Sequence, residues 1–251
     1  MSAPSRIMAH MVASFPDRAA SLDVARALFD GGCAYLELQF PFSDPPADGP
    51  DIQKACAAAL AAGFTVSDGF RLAAEICSSA RAPVFIMSYA NLLFTRGIPR
   101  FLRETKEAGA AGVIVPDLPP DYDEGLFAAA AKERLSAMPV LSPSIRRERL
   151  QRVTALGADH IYATLRLGTT GAVTTIDQAG LGFLSAIADQ SKDRSVKIFG
   201  GFGVTKRDQV TALEQHVHAV VVGSALVREV AGSQRPFAAV RDRVAALAGG
   251  R

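Results

Sequence analysis

The amino-acid sequence predicts an α/β protein built as a single (β/α)8 TIM barrel over residues 1–251. Three observations predict it. The chain has 251 residues and is 49% hydrophobic, enough for one large core, and a barrel of this kind needs about 250 residues. Apolar, β-rich runs alternate with alanine-rich helical stretches from end to end, which favours a parallel sheet with right-handed crossovers. There are eight such runs, the number that closes the barrel. An open doubly wound sheet is the alternative, but no Gly-x-Gly-x-x-Gly follows the first strand.

The expected strands are Ile7–Ala13, Ala34–Phe40, Pro83–Met87, Gly112–Val115, Ala137–Leu141, His160–Thr164, Val196–Phe199 and His218–Val222. Helices are expected between them at Arg18–Phe29, Asp51–Ala61, Ser67–Ser78, Pro99–Ala108, Asp123–Glu133, Arg147–Leu156, Gly180–Gln190, Lys206–Gln215 and Pro236–Leu247. Neither a linker nor a shorter repeat interrupts this alternation. In a barrel the loops at the C-terminal ends of the strands carry the chemistry.

Composition excludes several classes of function. The net charge is +2, with both signs interspersed, and no basic run or basic-aromatic stripe marks a nucleic-acid partner. Cys33, Cys56 and Cys77 are an odd set without paired or zinc-type spacing, which suits a reduced, cytoplasmic protein. The segment Met1–Arg6 is short and polar, and the apolar stretch after it is brief and contains His10, so no signal peptide is expected. No apolar run approaches the length of a membrane span.

The functional signal is concentrated between Leu36 and Pro50. In the second expected strand Tyr35, Glu37 and Gln39 share one face, and Leu36, Leu38 and Phe40 the other. Leucines facing a helix layer leave Glu37 pointing into the barrel near its top. Partial desolvation there would raise its pKa and suit it to proton transfer. The alternative is a structural glutamate bonded to a neighbouring hydroxyl, and the pattern leaves both open. Prolines stiffen the following loop and fix the placement of Asp48. Asp44 reads as turn chemistry; Asp48, before Gly49-Pro50, reads equally as a turn residue or as a second acid/base group.

Near the C-terminus Gly200-Gly201-Phe202-Gly203-Val204 follows the seventh expected strand. Gly223-Ser224-Ala225 follows the eighth and opens a short helix. Glycines let backbone N–H groups approach an anion, a helix N-terminus favours negative charge, and barrels build phosphate sites from these two loops. The competing reading is tight turns only. The hydroxyl-rich Arg166–Ala172 loop suits a mobile lid with N–H groups for a phosphate, or a plain surface loop. Tyr162 and Tyr89 could line the same pocket, although aromatics in barrel strands are more often core. His10 could face the pocket, whereas His160, His216 and His218 read as structural or surface residues. Lys197 raises a Schiff-base aldolase as an alternative, against the simpler reading of a rim or salt-bridged lysine.

Leu36–Gln53 taken as a whole resembles the Leu-Glu-Leu-Gly-x-Pro-Phe-Ser-Asp-Pro-Leu-Ala-Asp-Gly-Pro-Thr-Ile-Gln segment of tryptophan synthase α subunits. Further agreement comes from Met87–Asn91, Val115–Pro120, Gly168–Ala172, Gly201–Val204 and Val222–Ala225, so the resemblance covers nearly the whole chain. It implies retro-aldol cleavage of indole-3-glycerol phosphate to indole and glyceraldehyde 3-phosphate. It makes Glu37 the proton shuttle and Asp48 the acceptor of the indole N–H. Gly171, Phe202, Gly203, Gly223 and Ser224 would surround the phosphate. Tyr162 would hold the glutamate, Tyr89 and Met87 would border the indole, and Thr170 would close the lid and orient Asp48. The resemblance also implies a pyridoxal-phosphate-bearing β subunit as partner in an α2β2 assembly. This chain itself has no lysine-centred cofactor motif, and no cofactor or metal is expected in it. A subunit that mainly activates its partner and another phosphate-binding barrel aldolase or isomerase are the alternatives. Four positions depart from the family pattern: Gln39 stands for glycine, Pro46 for leucine, Asp51 for threonine, and His10 for a pocket phenylalanine.

Overall fold

A computed structural model describes residues 5–165, 178–192, 194–201 and 203–250. Nine parallel β segments form one sheet: β1 (Ile7–Val12), β2 (Tyr35–Gln39), β3 (Val84–Met87), β4 (Gly112–Ile114), β5 (Ser136–Met138), β6 (Val140–Leu141), β7 (His160–Thr164), β8 (Lys197–Gly201) and β9 (Ala219–Val222). Eleven α-helices lie between and after them: α1 (Arg18–Asp30), α2 (Pro50–Ala61), α3 (Val66–Ser79), α4 (Ala90–Arg96), α5 (Ile98–Glu107), α6 (Leu126–Glu133), α7 (Arg147–Ala155), α8 (Gln178–Gln190), α9 (Arg207–Leu213), α10 (Ser224–Gly232) and α11 (Ala238–Ala248).

The sheet order is β5-β4-β3-β2-β1-β9-β8-β7-β6. Its two ends are consecutive in sequence, because β5 and β6 are halves of one strand divided at Pro139. Proline has no N–H for the ladder, and the chain changes neighbours there: Met138 is in register with Ile114 of β4, and Val140 with Tyr162 of β7. The nine segments are therefore the eight expected strands of a (β/α)8 barrel.

Two apolar layers follow from the period-two alternation of each strand. Leu36, Leu38 and Phe40 face outward into the layer between sheet and helices, with Val24, Leu28 and Leu72. Full burial of each such side chain contributes about 1.5–3 kcal/mol. Tyr35, Phe85, Met87, Ile114, Tyr162 and Phe199 face inward and fill the barrel. Inward residues of β2 therefore share the interior, and Glu37 lies between Tyr35 below and Gln39 above.

Two helices differ from the expectation. Helix α4 was not expected, since the side chain that caps it is distant in sequence: Asp117 Oδ1, after β4, accepts from Ala90 N at 2.9 Å. Helix α6 starts at Leu126, three residues after the expected Asp123, because that aspartate accepts from Phe127 N at 2.7 Å and so acts before the helix begins.

Candidate active site

A cavity of about 300 Å³ opens at the C-terminal ends of the strands. Its wall includes Glu37, Asp48, His10, Met87, Tyr162, Gly203, Gly223 and Ser224. Strand register builds one side of it. β1 and β2 pair with His10 opposite Glu37 and Val12 opposite Gln39, so His10 and Glu37 are inward-facing neighbours across the ladder. His10 Nδ1 lies 3.2 Å from Glu37 Oε2. The residues are 5% and 3% exposed, and burial strengthens such a pairing.

Asp48 is equally buried, at 3% exposure, on the loop between β2 and α2. Two donors converge on its Oδ2: Gln39 Nε2 at 2.6 Å and the Tyr89 hydroxyl at 2.9 Å. The loop is anchored again through Gln53 Nε2, which donates to Asp48 O at 2.8 Å, and through Ala47 N, which donates to the Tyr89 hydroxyl at 3.3 Å. The turn ends at Gly49, and Pro50 takes the first position of α2, where a missing N–H costs nothing.

The two carboxylates occupy different environments. Burial raises the Asp48 pKa, although the His10 charge and the hydrogen bonds from Gln39 and Tyr89 pull against it. At His10 burial disfavours the charged form, but Glu37 and then Asp48 outweigh it and hold the proton more tightly than in an ordinary histidine. Burial and the neighbouring Asp48 charge keep the Tyr89 phenol protonated as a donor. Burial, with Glu37 and Asp48, does the same for Tyr162.

Across the cavity, Gly223 precedes α10 and Ser224 opens it. Helix α10 presents its N-terminal N–H groups there, a favourable place for an anion. The Ser224 hydroxyl is buried and has no hydrogen-bond partner among the described residues. Gly203 lines the same side with φ +76°, a conformation that favours glycine. The two preceding glycines are strand residues of β8, not turn residues. A Cβ on Gly201 would stand 2.4 Å from Val221 O, and one on Gly200 2.7 Å from Val217 Cγ1. Their small size serves close packing.

The other expected site residues are distributed as follows. Met87 lies on the cavity wall. Tyr89 is fully buried behind Asp48, where it supports the carboxylate from the back. Tyr162 lines the cavity, and the side chain paired with Glu37 among the described residues is His10. Thr170, Gly171 and Phe202 lie outside the described residues. Lys197 is exposed at the first residue of β8, the end of the strand away from the cavity, which leaves the Schiff-base alternative without support. Ile114, Ile52, Thr164 and Arg228 also line the cavity and were not singled out in the sequence. Arg228 could have been found, since it lies one helical turn beyond Ser224 on the same face of α10. Its Nη2 is 2.6 Å from Asp51 Oδ2.

A family model described as tryptophan synthase alpha chain matches residues 3–249. The chain belongs to the tryptophan synthase alpha chain family. The tryptophan synthase alpha chain of Helicobacter hepaticus is 37% identical over 229 residues, which span 89% of this chain and 85% of that one. That of Thermococcus kodakarensis is 36% identical over 85% and 84%. Among solved structures, a chain of the Pyrococcus furiosus tryptophan synthase α2β2 complex superposes with a TM-score of 0.89 at 30% identity, covering 99% of this chain and all of that one. A chain of Mycobacterium tuberculosis tryptophan synthase gives 0.88 at 30% identity over 98% and 93%. The barrel is thus that of a tryptophan synthase alpha chain.

Proposed function

We propose that this chain is the lyase subunit of a tryptophan synthase and cleaves indole-3-glycerol phosphate to indole and glyceraldehyde 3-phosphate. The observation that carries this reading is the pair of buried carboxylates, held by different partners, on a cavity whose far wall is suited to phosphate. Protonated Glu37 delivers a proton to the ring carbon that bears the side chain. The ring nitrogen then becomes positive, and Asp48, fixed through its Oδ2, accepts from that N–H and stabilises the charge. The resulting Glu37 carboxylate removes the proton of the side-chain hydroxyl. A C=O bond forms, the C–C bond breaks, and its electron pair restores the aromatic ring. Two carboxylates held by different partners suit such divided roles.

The phosphate would sit against Gly203, Gly223 and Ser224, with Gly171 and Phe202 completing the set and Thr170 on the lid. Met87 and Ile114 would flank the indole. A tryptophan synthase β subunit is the expected partner in an α2β2 assembly; the Pyrococcus furiosus relative belongs to such a complex, described as mutually activating. The chain would work in the cytoplasm: its three cysteines are free, and among the described residues no helix is long and apolar enough to cross a membrane.

The test is indole release by the purified chain from indole-3-glycerol phosphate, with and without a β subunit. Indole release in both arms is expected, faster with the partner. No indole in either arm would overturn the lyase reading. Full activity without a partner would overturn the idea of a subunit whose main task is activation.

A further inference from the structure

A phosphorylated substrate brings roughly two negative charges into the cavity at neutral pH, and most of the wall offers it no positive charge. Glu37 and Asp48 are acids, and His10 is already turned to Glu37 at 3.2 Å. On the side suited to phosphate, Gly203, Gly223 and Ser224 supply N–H groups and a hydroxyl but no full charge. The Ser224 hydroxyl is buried there without a hydrogen-bond partner among the described residues. Arg228 is the sole arginine or lysine among the described residues of the wall.

Its place on α10 is specific. Arg228 stands one helical turn after Ser224, so the two project from one face of the helix. Helical side chains lean toward the N-terminus of their helix, and a long one covers the turn before it. For Arg228 that turn is the one begun by Gly223 and Ser224. The start of α2 lies alongside: Asp51, in the first turn of α2, accepts from Arg228 Nε at 3.2 Å and from Nη2 at 2.6 Å, both on the single oxygen Oδ2. The guanidinium therefore sits near the N-terminal ends of two helices, where the macrodipoles favour an anion and oppose a lone cation. Asp51 supplies that anion from within the chain. The Arg228 side chain is 56% exposed, so the pair is screened by water and costs little to break.

We propose that Arg228 is a binding residue for the substrate phosphate, held by Asp51 until the phosphate takes that carboxylate's place. The proposal rests on the lyase reading above and adds a full positive charge to its phosphate site. Guanidinium–phosphate hydrogen bonds are charge-assisted and form in pairs, so a phosphate dianion competes well against one carboxylate oxygen. The phosphate is remote from the breaking C–C bond. Arg228 therefore holds ground state and transition state alike and acts on KM more than on kcat.

The experiment compares the parent with Arg228→Gln, Arg228→Lys and Asp51→Asn. Calorimetry reads the binding of inorganic phosphate at low and high salt, and indole release gives kcat and KM. Arg228→Gln should weaken phosphate binding and raise KM roughly two- to fivefold, the scale of one partly exposed charge pair, with kcat little changed. Arg228→Lys keeps the charge and should keep most of the affinity, whereas a packing role would make the two variants alike. Asp51→Asn should bind phosphate more tightly than the parent. Salt should weaken phosphate binding more steeply in the parent than in Arg228→Gln. Parental phosphate affinity and KM in Arg228→Gln would overturn the proposal. So would equal losses in the glutamine and lysine variants, weaker phosphate binding in Asp51→Asn, or no phosphate binding by the parent. Should the parent bind phosphate and release no indole, the lyase reading falls, and the calorimetry still decides the role of Arg228. Both side chains lie at the rim, outside the apolar core, so the substitutions leave the packing of the barrel in place.

Discussion

The barrel interior has two histidine-bearing ends, and they treat the same side chain in opposite ways. At the N-terminal end, His218 Nε2 meets the Tyr35 hydroxyl at 2.8 Å and its Nδ1 meets Arg6 Nη1 at 3.3 Å. His160 Nδ1 lies 2.9 Å from Ser136 Oγ and 2.8 Å from Asp159. Aromatic rings close over both: Phe199 stands 5.6 Å from His160 and 5.7 Å from His218, ring centre to ring centre. Burial, then the charges of Arg6 and Lys197, lower the His218 pKa to about 4. At the C-terminal end, burial disfavours the charged form of His10, but Glu37 and then Asp48 outweigh it and raise its pKa. Both ends are polar, and the upper one is the more deeply buried, since His218 is half-buried and Arg6 exposed. The lower end is a network of side chains paired with one another, and the upper end keeps an unpartnered hydroxyl, Ser224, on the cavity wall.

Substitutions at each end can break that contrast. Glu37→Gln has the largest expected effect: indole release should fall by roughly 10²–10⁴-fold, while inorganic phosphate still binds, as read by calorimetry. A variant that cleaves at the parental rate would remove Glu37 from the chemistry. Asp48→Asn should follow with a loss of about 10²-fold, the scale of one electrostatic stabiliser of transition-state charge; single-turnover rates of indole formation measure it. Gln39→Leu removes a hydrogen bond to a charged group, worth about 1.5–3 kcal/mol, and should lower kcat by about tenfold or more. An unchanged kcat would mean that Tyr89 alone suffices to hold Asp48.

Changes at the lower end should affect stability and leave catalysis alone. Tyr35→Phe should cost about 1 kcal/mol by losing its bond to His218, visible in urea melts, with kcat/KM unaltered. The smallest and most discriminating effect is in the pH dependence of stability. His10 in the folded chain holds its proton above the ordinary 6.5, so its contribution is complete below about pH 6.5 and is lost as pH rises through its folded value. His218 has a folded pKa of about 4, below its ordinary 6.5, so its contribution is complete above that pH and is lost as pH falls from about 6.5 to 4. Melting temperatures of His10→Phe should therefore flatten on the alkaline side, and those of His218→Phe on the acid side. Identical slopes in the two variants would erase the distinction between the ends.

Much of this was legible from local pattern. Alternation along Tyr35–Gln39 turned Glu37 inward because its leucine neighbours need an apolar layer, and the structure places Leu36 and Leu38 in the layer under the helices. The glycine turn before α10 was equally legible, since strand, glycine and helix start are contiguous. The partners were not. Gln39 read as an unexplained departure until the loop returned Asp48 to it, and α4 was hidden because its cap arrives from Asp117. Gly200 and Gly201 read as an anion turn because local composition cannot distinguish glycine used for a turn from glycine used for close packing against Val217 and Val221.

By itself the sequence determined the eight-strand alternation and the inward face of the second strand, since these depend on periods of two and 3.6 residues and on proline and glycine punctuation, while the roles of Glu37 and Asp48 stayed open. Only the tertiary structure decided what each acid touches. Ladder register sets His10 against Glu37, and closure of the barrel around Pro139 brings Tyr162 to the same cavity. Proton affinity depends on burial and on charges within a few ångströms, and those neighbours come from strands far apart in the chain.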